Sequence, residues 1–195
     1  MQKLFPVVLA SASPRRQEMM VQMGVPFEVV PSLAPEDDVL GTGPERVKVL
    51  ARRKAEEVAA RMPGRLVLAA DTLVCVDGQV LGKPVDEEDA VQMLKTLSGR
   101  VNQVATGVCM IAPDGSVQEE VCLTDVRFAT LDEGTIRRYV LTGEPMDKAG
   151  AYAVQGRAGA FVTEIKGSPS NVIGMPMETV ARFLKSCNVQ LFSET

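Results

Sequence analysis

The sequence predicts a mixed α/β fold, with a central mixed sheet and helices around it. Two observations carry this. Strand-like apolar runs alternate with stretches of helical period through the first half of the chain, and strand-like runs then follow one another directly. The run Leu66-Val67-Leu68-Ala69-Ala70 is wholly apolar, as a strand covered on both faces requires. The chain has 195 residues, 46% of them hydrophobic and 24% charged, with no internal repeat and no low-complexity linker. That suits one domain over 1–195, or two small lobes around a cleft.

Each element follows in order. Residues 6–10 read as the first strand, leading into Ser-Ala-Ser-Pro-Arg-Arg at 11–16. Ser13 suits an N-cap and Pro14 the first helical position, so a helix is expected there. Met19, Met20 and Met23 form its apolar face, and Gly24 stops it. Residues 26–30 read as a second strand. The acidic stretch around Glu36, Asp37 and Asp38, punctuated by Pro31, Pro35 and Gly41, reads as loop. Pro44 opens a helix to about residue 61, with Val47, Leu50, Ala51, Ala55 and Val58 on its buried face and Arg52, Arg53 and Lys54 on its middle turn. The strand at 66–70 is expected to end at Asp71-Thr72. A hairpin around Asp77-Gly78 joins 73–76 to 79–81, and the loop Gly82-Lys83-Pro84 follows. Residues 86–97 read as helix, and the long strands 101–112 and 117–129 are joined by Pro113-Asp114-Gly115-Ser116. A helix starts at Asp132 and ends near Gly143. A small-residue loop at 147–156, a strand at 161–165, a turn at 166–169 and a helix at 176–185 complete the chain.

Composition excludes several function classes. Lysine and arginine number 21, aspartate and glutamate 25, and the net charge is −4, so no broad nucleic-acid surface is expected. No apolar run approaches the roughly 20 residues of a membrane helix and no signal peptide is visible, so no membrane partner is expected and the cytoplasm is the default compartment. The cysteines Cys75, Cys109, Cys122 and Cys187 form no C-x-x-C pair, which speaks against zinc. Three of them lie in apolar strand-like runs and are expected to behave as small buried hydrophobes. There is no histidine, which removes histidine metal ligands and Ser-His-Asp and Cys-His catalysis together. Any proton or metal chemistry must rest on Asp, Glu and Lys.

Three separated stretches carry candidate chemistry. The helix start after 11–16 presents backbone N–H groups and a positive dipole end beside Ser11, Ser13, Arg15 and Arg16, which favours an anion such as phosphate. The alternative is a capped surface helix with solvated arginines. Asp71, closing an apolar strand, reads as a metal ligand or general base; the alternative is a turn or N-cap aspartate, although no helix follows directly. Lys83 is fixed between Gly and Pro. Glu36 and Lys54 are further candidates, and Arg52, Arg53 and Lys54 read on their own as a solvated helix face.

The order and spacing of these pieces closely resemble the Maf family of nucleoside triphosphate pyrophosphatases. The matching pieces are the stretch at 11–16, Leu50-Ala51 with Lys54-Ala55, Ala70-Asp71-Thr72, Gly82-Lys83-Pro84 and Leu97-Ser98-Gly99. Asp147-Lys148-Ala149-Gly150-Ala151-Tyr152, Gln155-Gly156 and Gly174-Met175-Pro176 complete the set, over nearly the whole chain. The resemblance implies an elongated mixed α/β protein with a ligand cleft, similar to inosine-triphosphate pyrophosphatases. It implies hydrolysis of a nucleoside triphosphate to the monophosphate and pyrophosphate with Mg²⁺ or Mn²⁺, a homodimer, and a house-cleaning role linked to cell-division arrest. Arg15, Thr72 and Gln155 match the base-specificity positions of the branch acting on dTTP and UTP. Asp71 matches the proposed base, with Lys54 and Lys83 as further catalytic residues, Ser11, Ser13, Arg15 and Arg16 as phosphate ligands, and Asp71 and Glu36 as metal ligands. Two positions depart from the family. Asn102 stands where the family has histidine and reads as the loss of one hydrogen bond. Pro35-Glu36 stands where the family has an acidic pair, leaving Glu36 alone there. A nucleotidyltransferase is a rival reading, although its first loop would favour glycine and this one has none. A non-catalytic nucleotide-binding regulator of septum formation is another. Release of pyrophosphate with a free monophosphate separates the hydrolase from both.

Overall fold

The computed structural model describes residues 6–193. The elements in chain order are β1 (Val7–Leu9), α1 (Pro14–Gln22), β2 (Phe27–Val29), α2 (Gly43–Arg61), β3 (Val67–Val76), β4 (Gln79–Leu81), α3 (Glu87–Leu97), β5 (Val101–Ile111), β6 (Val117–Phe128), α4 (Glu133–Val140), β7 (Val162–Lys166), α5 (Pro169–Ile173) and α6 (Met177–Ser186). Short 3₁₀ turns occupy Glu144–Asp147, Ala149–Ala151 and Arg157–Phe161. The strands form a seven-stranded mixed sheet in the order β2-β1-β3-β5-β6-β7, with β4 paired to β3. β1 is parallel to β2 and β3, with Val8 opposite both Glu28 and Val67. β4 runs antiparallel to β3, and β7 antiparallel to β6. The mixed α/β class is the one the sequence predicts. Among the described residues no helix is long and apolar enough to cross a membrane.

The strand end expected at Asp71 is not observed. β3 does not end at Asp71; it continues through Asp71 and Thr72 into the hairpin, ten residues in all. The second half of the strand has its own antiparallel partner, with Val74 opposite Leu81 and Cys75 opposite Val80. A single carboxylate therefore does not terminate the ladder, because its charge is met from a helix.

The chain divides into two compact units, and the boundary falls within β3, β5 and β6. The first contains the residues up to Asp71, Thr106–Cys122 and the residues from Gly174 on; the second contains Thr72–Ala105 and Leu123–Ile173.

In the first unit α2 is the dominant helix. Its start is fixed by Glu45, whose carboxylate accepts from the Thr42 backbone N–H at 2.9 Å and from the Thr42 hydroxyl at 2.8 Å. The predicted face of Val47, Leu50, Ala51, Ala55 and Val58 is buried. The small residues Ala51 and Ala55 let the helix settle on Val8, Ala10, Val67, Ala69, Cys109 and Ile111. The approach is closest at Gly107, where a Cβ would lie 2.2 Å from the Val47 carbonyl oxygen. Burial there pushes the Cys109 thiol up to about 12. Cys75, Cys122 and Cys187 are only half-buried, so the expectation of three buried thiols holds for Cys109 alone.

In the second unit α3 turns Ala90, Val91, Leu94 and Leu97 inward, and α4 turns Ile136, Tyr139 and Val140 inward, onto Val74, Val104, Val126 and Phe128. Asp86 and Asp132 cap the two helices through the backbone N–H of Asp89 at 2.8 Å and of Thr135 at 2.9 Å. Phe128 meets Tyr152 edge-on at 4.9 Å, and Tyr139 meets Phe161 edge-on at 5.1 Å.

Gly107→Ala should destabilise the protein by about 1–3 kcal/mol or more, because backbone rather than a movable side chain fills the space. Urea unfolding checks this, and an unchanged midpoint would show that α2 does not run this close to β5.

Candidate active site

The first unit holds seven of the sequence-predicted residues: Ser11, Ser13, Arg15, Arg16, Glu36, Lys54 and Asp71. Lys54 leaves the middle of α2 and donates to Asp71 Oδ1 at 2.7 Å. The same ammonium lies 3.0 Å from Glu36 Oε1. The Lys54 and Asp71 side chains are only 12% and 10% exposed, whereas that of Glu36 is 53% exposed. The solvated-face reading of Lys54 is therefore wrong, while it holds for Arg52, which is exposed and paired with Glu56 at 2.8 Å. Asp71 also lies within the electrostatic field of Arg16.

The first turn of α1 supplies two further cations, Arg15 and Arg16. Arg16 Nη1 donates to Ser11 Oγ at 3.1 Å and Arg16 Nε to the Gly174 carbonyl at 2.9 Å. The guanidinium is thus fixed at two points, one of them in the Gly174-Met175-Pro176 piece. Burial lowers its pKa and the neighbouring Arg15 adds to this, against the opposing fields of Asp71 and Glu36. An arginine stays charged regardless. Ser13 stands at the N-cap of α1 but makes no side-chain cap bond. Instead its N–H donates to Ser11 Oγ at 3.3 Å, which organises the loop. Ser13 thus holds the N-cap position the sequence predicts, without the side-chain bond. Arg15 is half-buried on the first turn.

Sequence reasoning missed the residue that holds the acidic loop. Arg53 donates to the Pro35 carbonyl at 2.8 Å and bonds the Asp38 carboxylate, pinning 35–38 to α2. The signal was its place beside Lys54 in a basic helical turn facing an acidic loop.

The second unit holds Thr72, Lys83 and Gln155. Thr72 is half-buried and, by the alternation of a strand, leaves β3 on the face opposite Asp71. Lys83 and Gln155 are exposed. Gly82, beside Lys83, accepts from the Gly150 N–H at 3.0 Å, which ties the Gly-Lys-Pro loop to the Lys-Ala-Gly-Ala-Tyr loop. Gly150 has φ +70°, and a Cβ there would meet the Val74 side chain at 3.0 Å. Asn102 is not a loss. It is 1% exposed, its Nδ2 donates to the Val126 carbonyl at 3.1 Å, and its Oδ1 accepts from the Tyr152 hydroxyl at 2.9 Å. A neutral amide offers the donor and acceptor that this buried pair of groups needs.

The chain matches the family described as Maf-like protein over residues 6–187. It belongs to the Maf family. A dTTP/UTP pyrophosphatase of Symbiobacterium thermophilum is 48% identical over 190 residues, covering 96% of each chain. A dTTP/UTP pyrophosphatase of Thermococcus gammatolerans is 52% identical over 174 residues, covering 89% of this chain and 92% of its own. Among solved structures, the Ham1 protein of Staphylococcus aureus has a TM-score of 0.53 at 17% identity, covering 92% of this chain and 98% of that one. That likeness bears on the fold alone, and it matches the fold family expected from the sequence.

Asn102→Ala should destabilise this Maf protein by about 1–3 kcal/mol, since it leaves the Tyr152 hydroxyl buried without its partner. Urea denaturation measures the loss. An unchanged midpoint would mean that Tyr152 does not depend on Asn102.

Proposed function

We propose that this protein hydrolyses nucleoside triphosphates, dTTP and UTP foremost, to the monophosphate and pyrophosphate. The observation that carries this reading is the cluster of Ser11, Arg16, Lys54, Asp71 and Glu36, in which fixed cations stand beside a nearly buried carboxylate. The names of the relatives support the reaction and the substrates. Water attacks the α-phosphorus, the bond from that phosphorus to the bridging oxygen breaks, and pyrophosphate leaves. The difficulty is negative charge, at the attacked centre and on the leaving group, and preorganised cations answer it directly. Asp71 Oδ2 takes the proton of the attacking water, while Oδ1 stays bonded to Lys54. Ser11, Ser13, Arg15 and Arg16 hold phosphate oxygens, and Lys83 meets the charge on the leaving pyrophosphate.

A hard divalent cation fits this donor set. Asp71 and Glu36 converge on a single cationic position, occupied by the Lys54 ammonium. Among the described residues no group of three or more acidic or thiol side chains gathers. Mg²⁺ or Mn²⁺ would therefore be held by one or two carboxylates and completed by phosphate oxygens and water, as is usual for Mg²⁺. When bound, the cation supplies charge neutralisation on the phosphates. Asp71→Asn should keep its fold and lose roughly 10²–10⁴ in kcat. A screen of nucleoside triphosphates with Mg²⁺ or Mn²⁺, reading pyrophosphate and monophosphate, tests both claims. Near-normal kcat in folded Asp71→Asn, or binding without turnover in the wild type, would sink the assignment.

Arg15, Thr72 and Gln155 are the base-specificity residues in this reading. Uracil and thymine present an N3–H donor beside carbonyl acceptors. A Gln155 amide held in one orientation accepts from N3–H with its oxygen and donates to a carbonyl with its nitrogen. Cytosine reverses both groups, and each unpaired group costs about 1–3 kcal/mol. UTP and dTTP should exceed CTP and GTP in kcat/KM by one or two decades, and Gln155→Glu should change the ranking. Equal use of CTP and UTP by the wild type would contradict this.

A further inference from the structure

We infer that Glu144 is a positioning residue for base selection: its carboxylate clamps the turn that presents Gln155. The inference rests on the reading of Gln155 given above. An exposed amide discriminates uracil from cytosine only if its orientation is fixed, because an amide free to turn end over end pairs with either. The contacts that fix the amide can form only if the backbone at 155 is itself held in place, and the residues around it show what holds it.

Gly156 follows Gln155, and the 3₁₀ turn Arg157–Phe161 begins directly after it. Gly156 has no side chain to cap that turn. Glu144 supplies the cap from thirteen residues earlier in the chain. Its Oε1 accepts from the Arg157 N–H at 3.0 Å and the Ala158 N–H at 3.4 Å, and its Oε2 accepts from the Arg157 N–H at 3.1 Å. The carboxylate also fills the space in front of Gly156, where a Cβ would lie 2.6 Å from Oε2. Gly156 is thus the residue type that the clamp requires, by close approach of a side chain. The Gly156 N–H donates to the Ala153 carbonyl at 3.0 Å, closing a turn that contains Gln155. Gln155 therefore sits within a closed turn that runs directly into a clamped one.

The clamp is itself anchored. The Tyr139 hydroxyl donates to Glu144 Oε1 at 2.9 Å, and the Tyr139 ring lies edge-on to Phe161 at the far end of the same 3₁₀ turn. Tyr139 is 4% exposed, so the carboxylate is referred to the core of the unit. Burial alone would raise the Glu144 carboxyl. The bonds from Arg157, Tyr139 and Ala158 outweigh it and hold the group below its ordinary value, so it is ionised at neutral pH. Tyr139 and Arg157 are the other titratable groups acting on it.

Three variants test the assignment: Glu144→Gln, Gly156→Ala and Gln155→Ala, each assayed on UTP, dTTP, CTP and GTP with melting temperature recorded. Glu144→Gln preserves shape but turns an amide donor towards backbone donors, and Gly156→Ala displaces the carboxylate by steric contact. In both, the UTP-to-CTP ratio of kcat/KM should fall about tenfold, mainly through a higher KM for UTP, as it does in Gln155→Ala. If Gln155→Ala lowers the ratio while Glu144→Gln and Gly156→Ala preserve it, the role given to Glu144 is overturned and that of Gln155 stands. If Gln155→Ala leaves the ratio unchanged, the base reading itself fails and the role of Glu144 falls with it. A proportional loss on all four nucleotides with a lower melting temperature would make Glu144 structural only, and overturn the inference. Should Glu144→Gln fail to fold, Gly156→Ala decides.

Discussion

Lys54 places its ammonium 2.7 Å from Asp71 and 3.0 Å from Glu36, and the rest of the first unit is arranged so that it can. A carboxylate that continues a run of apolar strand residues is untenable without a partner. The partner must arrive from outside the sheet, so α2 has to lie close to it. Ala51, Ala55 and the absent side chain at Gly107 provide that closeness. The third member comes from a loop, and Arg53 keeps that loop within reach. One strand, one helix and one loop are thus joined at a single cation. Removing Lys54 would leave the nearly buried Asp71 without its cation, which is costlier than never having assembled the pair.

The two units solve the problem of buried polarity differently. The first uses formal charges, which suits a ligand made largely of phosphate. The second uses neutral and half-neutral bonds: Asn102 with Tyr152, Thr124 with Asn171, and the Glu144 carboxylate with backbone N–H groups. Such networks fix geometry more than they attract ions. The absence of histidine fits both, since neither arrangement relies on a group that changes charge near neutrality.

Much of this was legible in the sequence, and the exceptions have physical causes. The class of fold, the helix faces and the helix starts near Asp86 and Asp132 follow from periodicity and local side-chain chemistry. A strand end at Asp71 follows from local polarity, whereas its charge is met by Lys54 seventeen residues away and the strand continues. Asn102 was read as a deficit because the group it serves, the Tyr152 hydroxyl, lies fifty residues off. Ser13 has the residue type and position of a cap, and only the loop geometry shows its backbone turned to Ser11 instead. Arg53 and Glu144 act on backbone of other segments, and backbone acceptors and donors carry no sequence signature. What can be read from residues is chemistry and period; what cannot is which distant backbone a long side chain will find.

The thiol of Cys109 makes α2 observable. It lies beneath that helix with its pKa pushed up to about 12, so in the folded protein it is both covered and almost wholly protonated, and thiolate is the form that alkylating reagents attack. Cys75, Cys122 and Cys187 are half-buried and carry no disulfide, so a reagent reaches them first. Once those are blocked, the remaining labelling counts only the moments when α2 lifts from the sheet. A protein without a single tryptophan thus carries a chemical reporter in its place, and the opening of the charged unit can be timed without adding a probe.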